Sequence, residues 1–175
     1  MIYFVRHGET DFNKKKIMQG HLDIELNEIG FMQAQKAKEN LKDVKIDMIF
    51  CSPLKRAVKT AEIINENYNL SVIKDDRIKE IYGGEMQGKI LSELPKEIVE
   101  QYYKNPENFG GENIKAFCKR VEHFLKEIFD INKNILIVSH AGVYRAIYRF
   151  LNNIEGFDFE LESPKNSEII LLKKD

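Results

Sequence analysis

A chain of 175 residues with 43% apolar and 31% charged side chains can bury a core of its own and reads as one water-soluble domain, 1–175. Its net charge of −1 and pI near 6.5 exclude a strongly basic nucleic-acid binder and leave room only for a local basic pocket. No apolar stretch is long enough to span a membrane and Met1 to Val5 is too short for a secretion signal. Two cysteines, Cys51 and Cys118, make neither a metal motif nor a disulfide framework, so the expected location is the cytoplasm.

Ile2 to Val5 is a short apolar run and reads as a buried strand. From Leu26 to Leu41, small or apolar residues recur at Leu26, Gly30, Ala34, Ala37 and Leu41, one face of a helix; Asn27 is its expected N-cap and Gly30 a weak point within it. Met48 to Cys51 predicts a second strand. Ser52 and Pro53 then predict a helix start, Ser as cap and Pro in the first turn, with Leu54, Ala57, Ala61 and Ile64 facing inward. Leu70 to Ile73 predicts a third strand. The stretch from about 82 to 111 fits the alternation poorly: it is rich in glycine, holds Pro95 and Pro106, and has a short helical pattern from Ser92 to Tyr103. It reads as an insertion over one end of the sheet. Phe117, Val121, Phe124 and Ile128 mark a long helix, Ile135 to Val138 a fourth strand, Val143 to Phe150 another helix, and Ile169 to Leu172 a last strand. Strands alternating with helices imply an α/β fold, a mainly parallel sheet with helices on both faces.

In such sheets ligands bind outside the carboxyl ends of the strands. Arg6-His7-Gly8 follows the first strand, Ser52-Pro53-Leu54-Lys55-Arg56 the second, and Ser139-His140-Ala141-Gly142 the fourth. Two histidines, two arginines and a helix start at Ala141 therefore meet at one end. Arginine forks match phosphate oxygens, helix N-terminal N–H groups favour anions, and an imidazole can attack phosphorus while a second donates to its oxygens. Adjacent guanidinium groups would repel a dication, and no carboxylate cluster completes a metal site. A cysteine phosphatase needs five residues between Cys and Arg, and Cys51 to Arg56 has four, which makes Cys51 a small core residue. No Walker loop and no Gly-x-Ser-x-Gly elbow is present. The departing alcohol needs a proton donor. Glu80 follows the third strand and can reach the same sheet end, but its position alone leaves it between an acid and a solvated loop carboxylate. His21 is expected to be an exposed loop residue and His123 to lie at a helix boundary. Lys14-Lys15-Lys16 reads as a solvated charge run, with attraction of anionic substrates as its functional alternative.

Taken in order, these blocks resemble the histidine phosphatase superfamily, the phosphoglycerate mutase-like proteins. Arg6-His7-Gly8-Glu9-Thr10 with Asn13 resembles its R-H-G-E-T-x-x-N signature, and Gly20 to Leu26 with Gly30 the block that follows. Ser52 to Ala57 with Thr60-Ala61 resembles the second block, and Ile78-Lys79-Glu80 the one with the proton donor. Gly110-Gly111-Glu112 resembles Gly-Gly-Glu-Ser with Asn113 in place of Ser, and Val138 to Gly142 the last block. The resemblance implies a three-layer α/β sandwich whose mostly parallel sheet has one antiparallel edge strand. It implies His7 as nucleophile, Arg6, Arg56 and His140 as phosphoryl ligands, Asn13 and the Ala141 backbone as further phosphate contacts, and Glu80 as general acid and then base. Glu112 would orient one of these. No cofactor or metal is implied. The activity implied is a phosphatase on a small phosphorylated metabolite, such as alpha-ribazole 5'-phosphate or a sugar phosphate. A cofactor-dependent phosphoglycerate mutase is the alternative, and a phosphate-sensing module the non-catalytic one.

Overall fold

A computed structural model describes residues 1–172. Five strands form one sheet: β1 (Ile2–Arg6), β2 (Met48–Cys51), β3 (Val72–Lys74), β4 (Ile135–Ser139) and β5 (Ile169–Leu172), in the order β3-β2-β4-β1-β5. β1–β4, β4–β2 and β2–β3 pair in parallel; β5 runs antiparallel to β1 at the edge, with Ile2 opposite Leu172. The helices are α1 (Asp11–Lys14), α2 (Glu28–Leu41), α3 (Lys55–Asn65), α4 (Lys96–Lys104), α5 (Ile114–Phe129) and α6 (Ala141–Leu151).

Strand side chains alternate between two cores, as the pleat requires. Ile2, Phe4, Phe50, Ile135 and Ile137 pack with Phe117, Val121 and Phe124 of α5 and Val143 and Ile147 of α6. Val5, Ile49, Cys51, Leu136 and Val138 pack on the other face with Ala37 and Leu41 of α2 and Ala57, Ala61 and Ile64 of α3. The chain leaving β1 turns to the α2–α3 face, while the chain leaving β4 turns at once into α6 on the opposite face. The neighbouring carboxyl ends of β1 and β4 are thus the point where connections diverge, which opens a crevice there.

Asn27 caps α2, its side chain accepting from the Gly30 N–H at 2.8 Å. Gly30 is no weakness: a Cβ there would collide with the Glu9 carbonyl, so its absence lets the loop after β1 lie against the first turn of α2. Three expectations need correction. α3 begins at Lys55 with Leu54 at the cap position and no side-chain cap, because the Ser52 hydroxyl bonds a histidine instead. The third strand starts at Val72, not Leu70; both backbone groups of Leu70 are held by the Asn65 side chain, just after Asn69 in a left-handed turn. In the 82–111 stretch, Leu91–Glu93 is a 3-10 turn and the helix starts at Lys96.

Candidate active site

His7 follows β1 and is 3% exposed. Its ring Nδ1 lies 2.7 Å from the Gly8 carbonyl, which can only accept. Nδ1 therefore carries the proton, and Nε2 keeps its lone pair. Burial, then the charges of Arg56 and Arg6, hold the imidazole well below its ordinary range, so it is neutral near pH 7. A neutral imidazole with a free Nε2 can attack an electrophile.

Arg56, on the first turn of α3, is 1% exposed. Nη1 donates to the Leu22 carbonyl and Nη2 to that of Gly20, each at 2.8 Å, while Nε is buried with no partner in the protein. Burial lowers its pKa to about 10, which leaves it charged at neutral pH. Arg6 repeats the pattern: Nη1 donates to the Pro164 carbonyl at 2.9 Å and Nε is buried without a partner. In each arginine a backbone carbonyl holds at least one Nη group while the buried Nε–H stays without a partner.

His140 is fully buried, its ring 5.1 Å from that of His7. The Ser52 hydroxyl lies 2.7 Å from Nε2 and is fully buried, and no other acceptor among the described residues is in reach of its proton, so that proton goes to Nε2. That assigns the His140 proton to Nδ1, which is buried and unpartnered. Three of the five buried polar side-chain atoms without a partner among the described residues thus belong to Arg6, Arg56 and His140, all donors. Leaving such groups unmet costs on the order of 1–3 kcal/mol each, which points to an anionic ligand as their acceptor.

A cleft of about 260 Å³ has Arg6, His7, Asn13, Arg56, Glu80, Gly142 and Arg145 in its wall, and His140 lies buried behind His7. Glu80 sits at the start of α6: Oε2 accepts from the Gly142 N–H at 3.2 Å and Oε1 from the Ile81 N–H at 3.0 Å. A Cβ on Gly142 would collide with Oε1, so the glycine lets the Glu80 carboxyl take this position. The neighbouring Ala141 N–H is the first of the helix and makes no intrahelical bond. Asn13 forms a capping box with Thr10, its Oδ1 accepting from the Thr10 N–H at 3.2 Å, which leaves Nδ2 as the donor for a ligand.

Several supporting residues carried no sequence signal. Asn166 donates to the His7 carbonyl at 2.8 Å, and the Ser167 N–H donates to the Arg6 carbonyl at 2.8 Å. Arg120 on α5 bonds both oxygens of Glu112, at 2.7 and 2.9 Å, and donates to the carbonyls of Arg77, Lys79 and Glu80. Glu112 itself accepts from the Tyr82 N–H, so it acts on the Glu80 segment and not on the cleft's anion ligands. Asn113 caps α5. His21 is half-buried rather than exposed, its Nε2 donating to the Glu80 carbonyl at 2.6 Å. His123, Lys14, Lys15 and Lys16 are exposed and outside the cleft wall. Cys51 is buried at the end of β2, its thiol pushed up to about 11 by burial, so it is no nucleophile. Among the described residues no cluster of three or more His, Cys, Asp or Glu could hold a metal.

The family model described as histidine phosphatase superfamily (branch 1) matches residues 2–173. The protein called uncharacterized phosphatase PhoE of Bacillus subtilis (strain 168) is 39% identical over 166 residues, 94% of this chain and 82% of its own. The adenosylcobalamin/alpha-ribazole phosphatase of Salmonella typhimurium (strain LT2) is 33% identical over 150 residues, 81% of this chain and 74% of its own. Among solved structures, mycobacterial glucosyl-3-phosphoglycerate phosphatase in complex with VO3 superposes with a TM-score of 0.83 at 28% identity, covering 96% of this chain and 90% of that one. An ordered set of motifs, the sheet order and these matches agree: the chain belongs to the histidine phosphatase superfamily, branch 1.

Proposed function

We propose that this chain hydrolyses small phosphomonoesters through a phosphohistidine on His7, without a metal or cofactor. The observation that carries the reading is the neutral His7 ring with Nε2 free, set beside two guanidinium groups whose buried Nε donors have no partner in the protein. The Nε donors of Arg6 and Arg56, His140 Nδ1–H, Asn13 Nδ2–H and the Ala141 N–H bind the phosphoryl oxygens. His7 Nε2 attacks phosphorus and the ester P–O bond breaks. Charge spread over the phosphoryl oxygens in the transition state is met by donors that are already in place. Glu80 gives its proton to the departing alkoxide. Its carboxylate then takes a proton from the water that attacks the phosphohistidine, which restores both groups.

The remaining features support a cytoplasmic protein, one domain over 1–175 with the 82–111 segment inserted at the active site, acting on a metabolite and on neither nucleic acid nor membrane. Net charge is −1, both thiols are free, and no helix among the described residues is long and apolar enough to cross a membrane. The decisive experiment labels the enzyme with a ³²P-phosphoester and quenches rapidly. An acid-labile, base-stable label that forms and decays at the rate of turnover, with inorganic phosphate as product, is the expected result. No label, or 2-phosphoglycerate formed from 3-phosphoglycerate and trace 2,3-bisphosphoglycerate with little free phosphate, would refute it.

A further inference from the structure

Arg145 lines the same cleft, and none of the groups described so far uses it. It lies on α6 four residues after Ala141, one turn along the same face, about 6 Å up the axis. Helical side chains lean toward the N-terminus of their helix, which brings this guanidinium back over the start of α6 where Glu80 sits. Its Nε donates to the Leu161 carbonyl at 2.7 Å, so the head is held in place. No carboxylate of the described residues lies within ion-pair reach of it, whereas Arg77 and Arg120 both have one. Its charge is felt at Arg6 and at the Tyr103 hydroxyl, both in the cleft wall.

The cleft wall therefore holds three guanidinium groups and one carboxylate. In the state that gives a proton away, Glu80 is neutral. A phosphate dianion then answers two of the three positive charges, and the one in excess is Arg145, whose two Nη groups make no hydrogen bond to the described residues. Resting on the phosphatase reading above, we propose that Arg145 is a specificity residue: it binds a carboxylate carried by the alcohol part of the substrate, two or three carbons from the phosphoester. The fork of a guanidinium fits a carboxylate through two parallel hydrogen bonds. The spacing of about one helical turn fits a short acid, a phosphorylated hydroxy or amino acid, better than a bulky neutral alcohol such as alpha-ribazole. The aromatic side of the mouth, Phe157, Phe159 and Tyr103, lowers the local dielectric around this pair and strengthens it.

The test compares kcat/KM for 3-phosphoglycerate and glycerol 3-phosphate, which share a carbon skeleton and leaving alkoxide and differ at the carboxylate. It uses wild type, Arg145→Gln and Arg145→Lys, with p-nitrophenyl phosphate as a report on the chemical step and thermal melting as a check on folding. Wild type is expected to prefer the carboxylate ester tenfold or more, mainly through KM. Arg145→Gln should cut that ratio at least fivefold and Arg145→Lys at least twofold, since an ammonium keeps the charge but not the fork. If Arg145→Gln fails to fold, the Arg145→Lys ratio decides. A wild-type ratio near one, or variant ratios equal to the wild-type ratio, overturns the proposal and leaves the phosphatase reading standing. No turnover of any of the three esters by wild type overturns both.

Discussion

The floor of the cleft and its mouth are built by opposite means. The floor is made at strand ends: Arg6 and His7 after β1, Arg56 on the helix after β2, His140 after β4. Each of these heads is anchored to at least one backbone carbonyl or buried hydroxyl, and the Nε of Arg6, the Nε of Arg56 and the Nδ1 of His140 are buried without a partner. The mouth is made of Ile17, Met18, Leu91, Tyr103, Phe157 and Phe159, from segments that lie outside the sheet. Its contacts are ring stacking and van der Waals packing, as between Tyr103 and Phe159 at 4.7 Å. Pre-organisation of donors is what a charged transition state needs, because little reorganisation is then left at the moment of reaction. Apolar contacts discriminate by shape and tolerate exchange. On the reading proposed above, the donors of the floor set the type of reaction, while the apolar mouth and Arg145 beside it select the substrate.

The contrast can be broken most severely at the floor. His7→Ala should lower kcat by several powers of ten, ~10³ or more, while the circular dichroism melt stays cooperative; near wild-type turnover would end the assignment. Next, Gly142→Ala places a methyl group against the Glu80 carboxyl, and Glu80→Gln removes its proton. Both should slow alkyl phosphates by ~10² and nitrophenyl phosphate much less, because a good leaving group needs little protonation. Equal slowing for both ester classes would move the acid role elsewhere. pH separates the two regions in another way. Burial and the arginines hold His7 and His140 well below 6.5, so His7 stays unprotonated as pH falls through that value, and the acid limb of kcat/KM should lie below it. Stability runs the other way: the unfolded chain takes up protons first, so the contribution of both rings is whole above about pH 6.5 and declines below it toward their folded values. Tm should therefore fall between pH 7.5 and 5 while kcat/KM at 25 °C persists; an acid limb at or above 6.5 would contradict the burial argument. At the mouth, Leu91→Ala should change KM by about two- to fivefold with kcat within twofold, in keeping with the modest worth of one apolar contact. EDTA should change nothing, and metal-reversible inhibition would place the protein in another catalytic class.

Much of the floor was legible because it is written in contiguous stretches. An apolar run followed by Arg-His-Gly or Ser-His-Ala-Gly announces both the strand and the group at its end, and the alternation of strands and helices places those ends together. What was not legible depends on partners far away in sequence. Ser52 resembles a helix cap until His140, 88 residues on, takes its hydroxyl. Arg120 reads as one of several charges on α5, and only the fold brings it to Glu112 and to the carbonyls before Glu80. Asn166 and Ser167 read as loop ahead of β5. Arg145 is the exception, since its position one helical turn after Ala141 was available from spacing alone. His21 was misjudged for a related reason, because its partner carbonyl on Glu80 lies 59 residues away.

The bonds from the segment before β5 have a further consequence. Pro164 holds the Arg6 guanidinium, the Ser167 N–H holds the Arg6 carbonyl and Asn166 holds that of His7, across about 160 residues of chain. A ribosome adds about 5–20 residues per second, so roughly 10–30 s separate the emergence of Arg6 and His7 from that of the residues that brace them. Through that interval β1 also lacks its antiparallel neighbour β5. The nascent polypeptide can collapse around its parallel strands, but the Arg6 guanidinium and the carbonyls of Arg6 and His7 stay unbraced until this segment docks. A chain stopped before residue 164 lacks all three of these bonds and the β5 edge, and on the proposed mechanism it is expected to be inactive.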